Sequence, residues 1–137
     1  MIRLRNVYEG GSTDNEAIQI LWELLAERTP EQSISHQEMP TFKEHQKFVR
    51  GHPYRAWYLI LDISFTPVGS VYLTRQNEIG IFIFKAYQRK GYAKEGIAEL
   101  QRRYPEPMLA NINPANEPSR ALFEKLGGKM IQVTYRL

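Results

Sequence analysis

The chain has 137 residues, 42% hydrophobic and 24% charged, the composition of one globular domain over residues 1–137 rather than of a disordered or fibrous chain. It has no cysteine, which excludes disulfides, thiolate metal sites and cysteine nucleophiles, and His36, His45 and His52 are not spaced as a metal site. A net charge of +3 is too small for a nucleic-acid footprint, the apolar runs are too short to span a bilayer, and MIRLRNVYEGG lacks the apolar core of a signal peptide, so a cytoplasmic location is expected.

Ile2, Leu4 and Val7 predict a short first strand, ended by Gly10-Gly11. Thr13-x-x-Glu16 reads as a capping box, and Ala17, Ile20, Leu21, Leu24 and Leu25 recur at helical spacing to about Arg28. After an irregular polar stretch, Pro40 and Thr41-x-x-Glu44 start a second helix carrying Phe42, His45, Phe48 and Val49 and ending near Gly51. The period then changes. Arg55 to Asp62, Val68 to Thr74 and Ile79 to Phe84 read as three strands joined by short turns, hence an antiparallel meander. Arg55, Trp57 and Tyr58 would suit a base-stacking surface or a strand buried on both faces. A helix follows from Gly91 to about Arg103, then a short buried strand from Met108 to Ile112. Asn116 to Leu126 is a helix with Gly127-Gly128 as its C-cap, and Lys129 to Arg136 a last strand. The order is β-α-α-β-β-β-α-β-α-β.

Gln88-Arg89-Lys90-Gly91-Tyr92-Ala93 follows a strand and opens a helix. A helix N-terminus presents free N–H groups and partial positive charge, and so holds phosphate where the backbone can be approached closely. Gly91 and Ala93 leave that approach open, and Arg89, Lys90 and Lys94 surround it with charge. The hexapeptide reads either as a pyrophosphate cradle or as an ordinary surface turn. It is neither a dinucleotide fingerprint nor a Walker A loop.

Gln88-x-x-Gly91-x-Ala93 matches the Q/R-x-x-G-x-G/A signature, and Asn116-x-x-Ser119-x-x-Leu122-Phe123-Glu124-Lys125-Leu126-Gly127 is similar to N-x-x-S-x-x-L-Y-E-K-x-G-F. With the preceding strand Ile81-Phe82-Ile83-Phe84, the chain resembles the GNAT superfamily of acetyl-CoA-dependent N-acetyltransferases. The resemblance implies an α+β fold, a mostly antiparallel mixed sheet flanked by helices, with a shortened C-terminal hairpin. It implies that backbone N–H groups from Gln88 through Ala93, with Lys94 next in line, bind the acetyl-CoA pyrophosphate. It implies that the strand carrying Ile81, Ile83 and Phe84 pairs with the pantetheine arm, which enters a gap before the strand Met108 to Ile112. Asn116 matches a cofactor-contacting asparagine, and Ser119 lies one helical turn on. The co-substrate would be acetyl-CoA with an amine acceptor, and no metal.

Acetylating an amine needs a neutral amine, a thioester held close, and stabilisation of the developing oxyanion. Many family members protonate the leaving thiolate with a tyrosine where this chain has Phe123. Either Tyr87, Tyr92 or Ser119 substitutes, or the thiolate leaves unaided, or Phe123 is simply core packing. For the base, Glu78 resembles an acidic position that some branches place near the acceptor, and reads equally as a solvated strand-end carboxylate. His36, in the loop that covers the acceptor in this family, titrates near neutrality or is an ordinary loop histidine. Only Lys129 to Leu137 follow the last helix, enough for one strand of the usual terminal hairpin. The open sheet edge would be relieved by a homodimer. A non-catalytic acyl-CoA-binding module and a small nucleic-acid-binding protein are the rival readings. The composition favours no membrane and no nucleic-acid partner.

Overall fold

The computed structural model describes residues 1–9, 15–28 and 38–137. Its elements are β1 (Arg3–Asn6), α1 (Asn15–Ala26), α2 (Phe42–Arg50), β2 (Ala56–Leu61), β3 (Pro67–Leu73), β4 (Glu78–Ile83), α3 (Tyr92–Arg103), β5 (Leu109–Ala110) and α4 (Glu117–Lys125), with a 3-10 turn at Lys85–Tyr87. The expected capping box at Thr13 lies outside the described residues. The strands form one five-stranded sheet in sequence order. β1 to β4 are antiparallel, and β5 runs parallel to β4.

The side-chain periods explain the layers. The spacing of Ala17, Ile18, Ile20, Leu21 and Leu24 buries one side of α1, which packs with Val49 of α2 against Trp57, Leu59 and Leu61 of β2. The alternate residues of the same strand, Tyr58 and Ile60, face the other way, onto Ile97 and Leu100 of α3. β2 is therefore buried on both faces, and Trp57 and Tyr58 are core residues rather than a stacking surface. Arg55, at its end, pairs with Glu106 at 2.7 Å and Asn77 at 2.8 Å, tying the β3–β4 turn to the segment that leads into β5.

The helix ends follow the capping rules. Thr41 accepts the Glu44 N–H at 3.1 Å and donates its own N–H to the Glu44 carboxylate at 2.9 Å, a reciprocal cap worth about 1 kcal/mol. At the end of α4, Gly127 has φ 86°. There the Gly127 N–H reaches Glu124 O and the Gly128 N–H reaches Phe123 O, at 3.0 and 2.8 Å. These bonds close a Schellman motif.

Two expectations need correction. The strand at Met108 to Ile112 is paired only at Leu109–Ala110, and its Leu109 side is exposed, because β5 is the sheet edge with no neighbour beyond it. Lys129 to Arg136 is not a strand. The segment is exposed and carries no ladder, because its alternating pattern lacks a partner strand within this chain.

His45 is buried, and its Nε2 lies 3.0 Å from Ile18 O. A carbonyl only accepts, so Nε2 carries the hydrogen. Burial pushes its pKa below the usual histidine value. The stability this gives is complete above about pH 6.5 and is lost as the pH falls towards the depressed folded value. Denaturant unfolding of the wild type should therefore weaken below about pH 6.5, and His45→Gln, which keeps a donor towards Ile18 O, should remove that part of the slope. Identical slopes in the two proteins would refute the assignment.

Candidate active site: a cleft between diverging strands

β4 and β5 share two register pairs, Glu78↔Leu109 and Ile79↔Ala110, and then part. Beyond this fork, Gly80 to Ile83 on one side and Asn111 to Asn113 on the other line a cavity of about 680 Å³. The fork is fastened at its base. Glu78 is gripped by the Asn111 amide and by Thr74, whose hydroxyl accepts the Glu78 N–H at 3.0 Å. At its other end, β4 is held by Gln88, whose Nε2 donates to Ile83 O at 3.2 Å.

The signature turn closes one end of the cleft. Arg89 and Gly91 have φ of 62° and 85°, so the chain reverses there before entering α3. Nothing stands within 4 Å of where a Gly91 Cβ would be. The first helical bond of α3 runs from Glu95 N–H to Gly91 O, which leaves the N–H groups of Tyr92, Ala93 and Lys94 directed out of the helix end. Among described N-caps, those of α2 and α4 carry a side-chain hydrogen bond, whereas Gly91 of α3 carries none. Lys85, Arg89, Lys94 and Lys125 are also in the cavity lining. An uncapped helix N-terminus among cations is suited to a polyanion.

Ile81 and Ile83 line the cleft with Gln88, Tyr92, Ala93, Asn116 and Ser119. Phe84 does not; it packs against the α1/α2 core, and its N–H bonds Val68 O. Lys90 is also outside the lining and sits over the Tyr87 ring at 5.8 Å. Asn116 caps α4, accepting the Ser119 N–H at 3.2 Å. Phe123 borders the cavity and packs on the α3-side core, so this position offers no hydroxyl, although Tyr87, Tyr92 and Ser119 lie in the same lining.

The cleft continues to the α1/α2 face of the sheet. Leu24, Glu27 and Arg28 border it there with Tyr72 and Phe82. Tyr72 pairs in register with Gly80, and its ring lies across that glycine: a Cβ on Gly80 would come within 2.0 Å of it. Tyr72 stacks on Tyr54 at 3.9 Å, burial raises the pKa of both phenols, and the Arg28 charge acts in the opposite sense on each. Glu27 accepts the Lys85 N–H at 2.7 Å. Glu78 is outside the lining and reaches it only through Asn111, and His36 lies outside the described residues. Sequence reasoning missed Tyr72, Asn111, Glu27 and Arg28. The glycine opposite an aromatic across β3 and β4 was the available signal for Tyr72; nothing local marked the others.

The acetyltransferase (GNAT) family profile matches residues 18–128. The chain belongs to this family. It is an acyltransferase of the GNAT type, with a mixed sheet in the family's arrangement. A domain from Methanocaldococcus jannaschii superposes with a TM-score of 0.77 at 22% identity, covering 96% of this chain and 90% of that one. A phosphinothricin acetyltransferase from Sinorhizobium meliloti, solved in complex with AcCoA, gives 0.70 at 21% identity over 92% of this chain and 74% of that one. Mutant forms of the spermidine/spermine N-acetyltransferase from Vibrio cholerae give 0.67 at 18% identity, over 92% and 78%. At these identities the likeness carries the fold. No curated protein sequence matches the chain significantly.

GNAT enzymes use acetyl-CoA, and the residues here fit it. The uncapped α3 end and the open space before Gly91 suit a pyrophosphate, and the unpaired stretch of β4 suits an extended amide-bearing arm. Any side chain at Gly91, with φ 85°, costs about 1–2 kcal/mol of stability, so Gly91→Ala measures strain alone. Gly91→Glu adds a carboxylate at the cradle. Calorimetry should show acetyl-CoA binding weakened at least about tenfold more by Glu than by Ala, a difference of about 1.4 kcal/mol. Equal affinities would remove the cradle from the site.

Proposed function

We propose that the protein transfers the acetyl group of acetyl-CoA to the primary amine of a small anionic acceptor, by direct attack in a ternary complex. The observation that carries this reading is the cleft, which opens at the phosphate-suited α3 end and continues to the Tyr72–Arg28 pocket on the opposite face. Acetyl-CoA supplies an activated acyl group as a thioester. The chain's own residues bind and orient. In this reading, N–H groups from Gln88 to Lys94 hold the pyrophosphate, with Lys85 and Arg89 adding charge. Gly80 to Ile83 receive the arm along the β4 edge, with Asn116 and Ser119 across from them.

The acceptor enters past Tyr72, and Arg28 pairs with its acidic group. Relatives named for spermidine and for phosphinothricin stand for opposite acceptor charges. The guanidinium beside two neutral phenols favours the acidic kind. The attacking amine must lose a proton. Glu78 is our proposed acceptor of it, working through water because its carboxylate lies outside the cleft lining; His36 is the second candidate. With Phe123 in place of a phenol, the thiolate departs unprotonated, which a thiol pKa of about 8.5 permits. The absence of cysteine rules out an acyl-thioenzyme and supports direct transfer.

Thiol release across a panel of amines tests this. Double-reciprocal plots should intersect, and acidic amines should outperform spermidine. Arg28→Ala should raise KM for acidic amines about tenfold or more. Glu78→Gln should lower kcat about a hundredfold with acetyl-CoA affinity retained. Parallel plots would overturn direct attack, a preference for spermidine would overturn the anionic acceptor, and acetyl-CoA binding without turnover of any amine would leave only the binding module.

A further inference from the structure

At the parting of the strands, Asn111 stands in the cleft where Glu78 does not. Asn111 is in the cavity lining and Glu78 is outside it. The pairing of β4 and β5 ends at Ile79↔Ala110. Its continuation would set Asn111 level with Gly80, the first position at which the strands are no longer joined. Glu78 is partly buried, Asn111 exposed. Both oxygens of the Glu78 carboxylate are engaged: Oε1 accepts the Thr74 hydroxyl at 3.4 Å, and Oε2 accepts the Asn111 amide. Thr74 Oγ1 in turn accepts the N–H groups of Gln76 and Glu78 at 3.3 and 3.0 Å, so the hydroxyl hydrogen is left for the carboxylate. A carboxylate only accepts. The Asn111 atom facing it is therefore Nδ2, and turning the amide over would set two acceptors against each other. Among the described residues none donates to Asn111 Oδ1.

We propose that Asn111 is a positioning residue of the acetyl transfer. It holds the Glu78 carboxylate in one orientation at the fork, and its Oδ1 accepts a hydrogen from the water through which the amine proton reaches Glu78. This rests on the reading of Glu78 as the proton acceptor. The acceptor's ammonium gives one proton to that water, and the water passes one to Glu78. The nitrogen lone pair so freed forms the N–C bond to the thioester carbonyl carbon. The C–S pair leaves on the thiolate, and the nitrogen sheds its second proton to solvent. An ordered water needs roughly two to four polar partners. Asn111 Oδ1, the Glu78 carboxylate and the amine supply them, with one water hydrogen for each oxygen and a lone pair for the amine.

Steady-state kinetics test this, with acetyl-CoA affinity measured beside them by calorimetry. Asn111→Ala should lower kcat about tenfold or more, with the acceptor KM and the acetyl-CoA affinity retained. Asn111→Asp, equal in size but without the N–H towards Glu78, should do no better. The deciding variant is the double one. Glu78→Gln keeps an acceptor oxygen for the Asn111 N–H and removes the base, so adding Asn111→Ala to it should cost less than about twofold further in kcat. A role in fastening the strands alone predicts the same loss in both backgrounds, together with weaker acetyl-CoA binding. That result, or an Asn111→Asp enzyme as active as the wild type, would overturn the positioning role and leave Glu78 in place. Undiminished kcat in Glu78→Gln would instead remove the proton acceptor, and this proposal with it.

Discussion

The molecule depends on β4 being a strand with one complete edge and one incomplete edge. Its β3 side is paired from Ile79 to Ile83, while its β5 side is paired for two residues. Backbone N–H and C=O groups away from bulk water need partners, so the incomplete edge is a standing demand for a ligand with amide-like groups. A strand left half-paired would fray unless its ends were held. Here the base is fixed by Thr74 and Asn111 acting on Glu78. The top is fixed by Gln88 on Ile83 O and by the Phe84 N–H on Val68 O. The signature glutamine thus contributes through its side chain to the same cleft that the turn's backbone serves, and Glu78 is structural whatever its part in proton transfer.

The helix ends apply the same constraint with opposite outcomes. α2 and α4 satisfy their first N–H groups with Thr41 and Asn116. α3 begins at a glycine that cannot. A glycine in place of a capping side chain costs only about a few tenths of a kcal/mol, and it stands in a lining that also holds Lys85, Arg89 and Lys94. The N-terminal half-charge of a helix is most useful to a ligand when no side chain of the protein has already used it. Asn116 has the converse role: a residue whose resemblance implies cofactor contact is first a cap, and its second acceptor lone pair and amide group are what remain for any ligand.

The parts legible in the sequence are those whose cause is local. A positive φ at Gly91, a reciprocal cap at Thr41 and Glu44 and a Schellman end at Gly127-Gly128 each need only neighbouring residues, and each could be read from them. The parallel pairing and early parting of β4 and β5 could not, because Glu78 and Leu109 pair across an intervening helix, α3, that packs on Ile60 and Val71, far along the chain. The segment from Lys129 to Arg136 shows the limit of periodicity. Its alternation states what would be buried if a neighbour existed, and says nothing of where the neighbour is. His45 is a core residue because its helical spacing with Val49 puts both on the buried side of α2.

The same distinction explains why the class of reaction is easier to read than its acceptor. In the proposed reading the α3 side recognises a constant group through backbone atoms, and backbone geometry is encoded by a few glycines and caps in one stretch. The α1 side is assembled from the end of α1, the middle of β3 and the edge of β4. Its character rests on side chains that meet only in three dimensions. Burial raises the pKa of both Tyr54 and Tyr72, and Tyr72 is the one of the two that lines the cleft. Arg28 can only donate and the Glu27 carboxylate only accept, one of its oxygens taking the Lys85 N–H. In the proposed reading the balance of charge in this pocket sets which acceptor it takes, because charges are felt strongly in a poorly screened space. In the proposed reading, an acceptor carrying both an amine and an acidic group would present the acid to Arg28 and leave the amine to face Gly80, where the absence of a side chain lets it approach the strand that would hold the thioester.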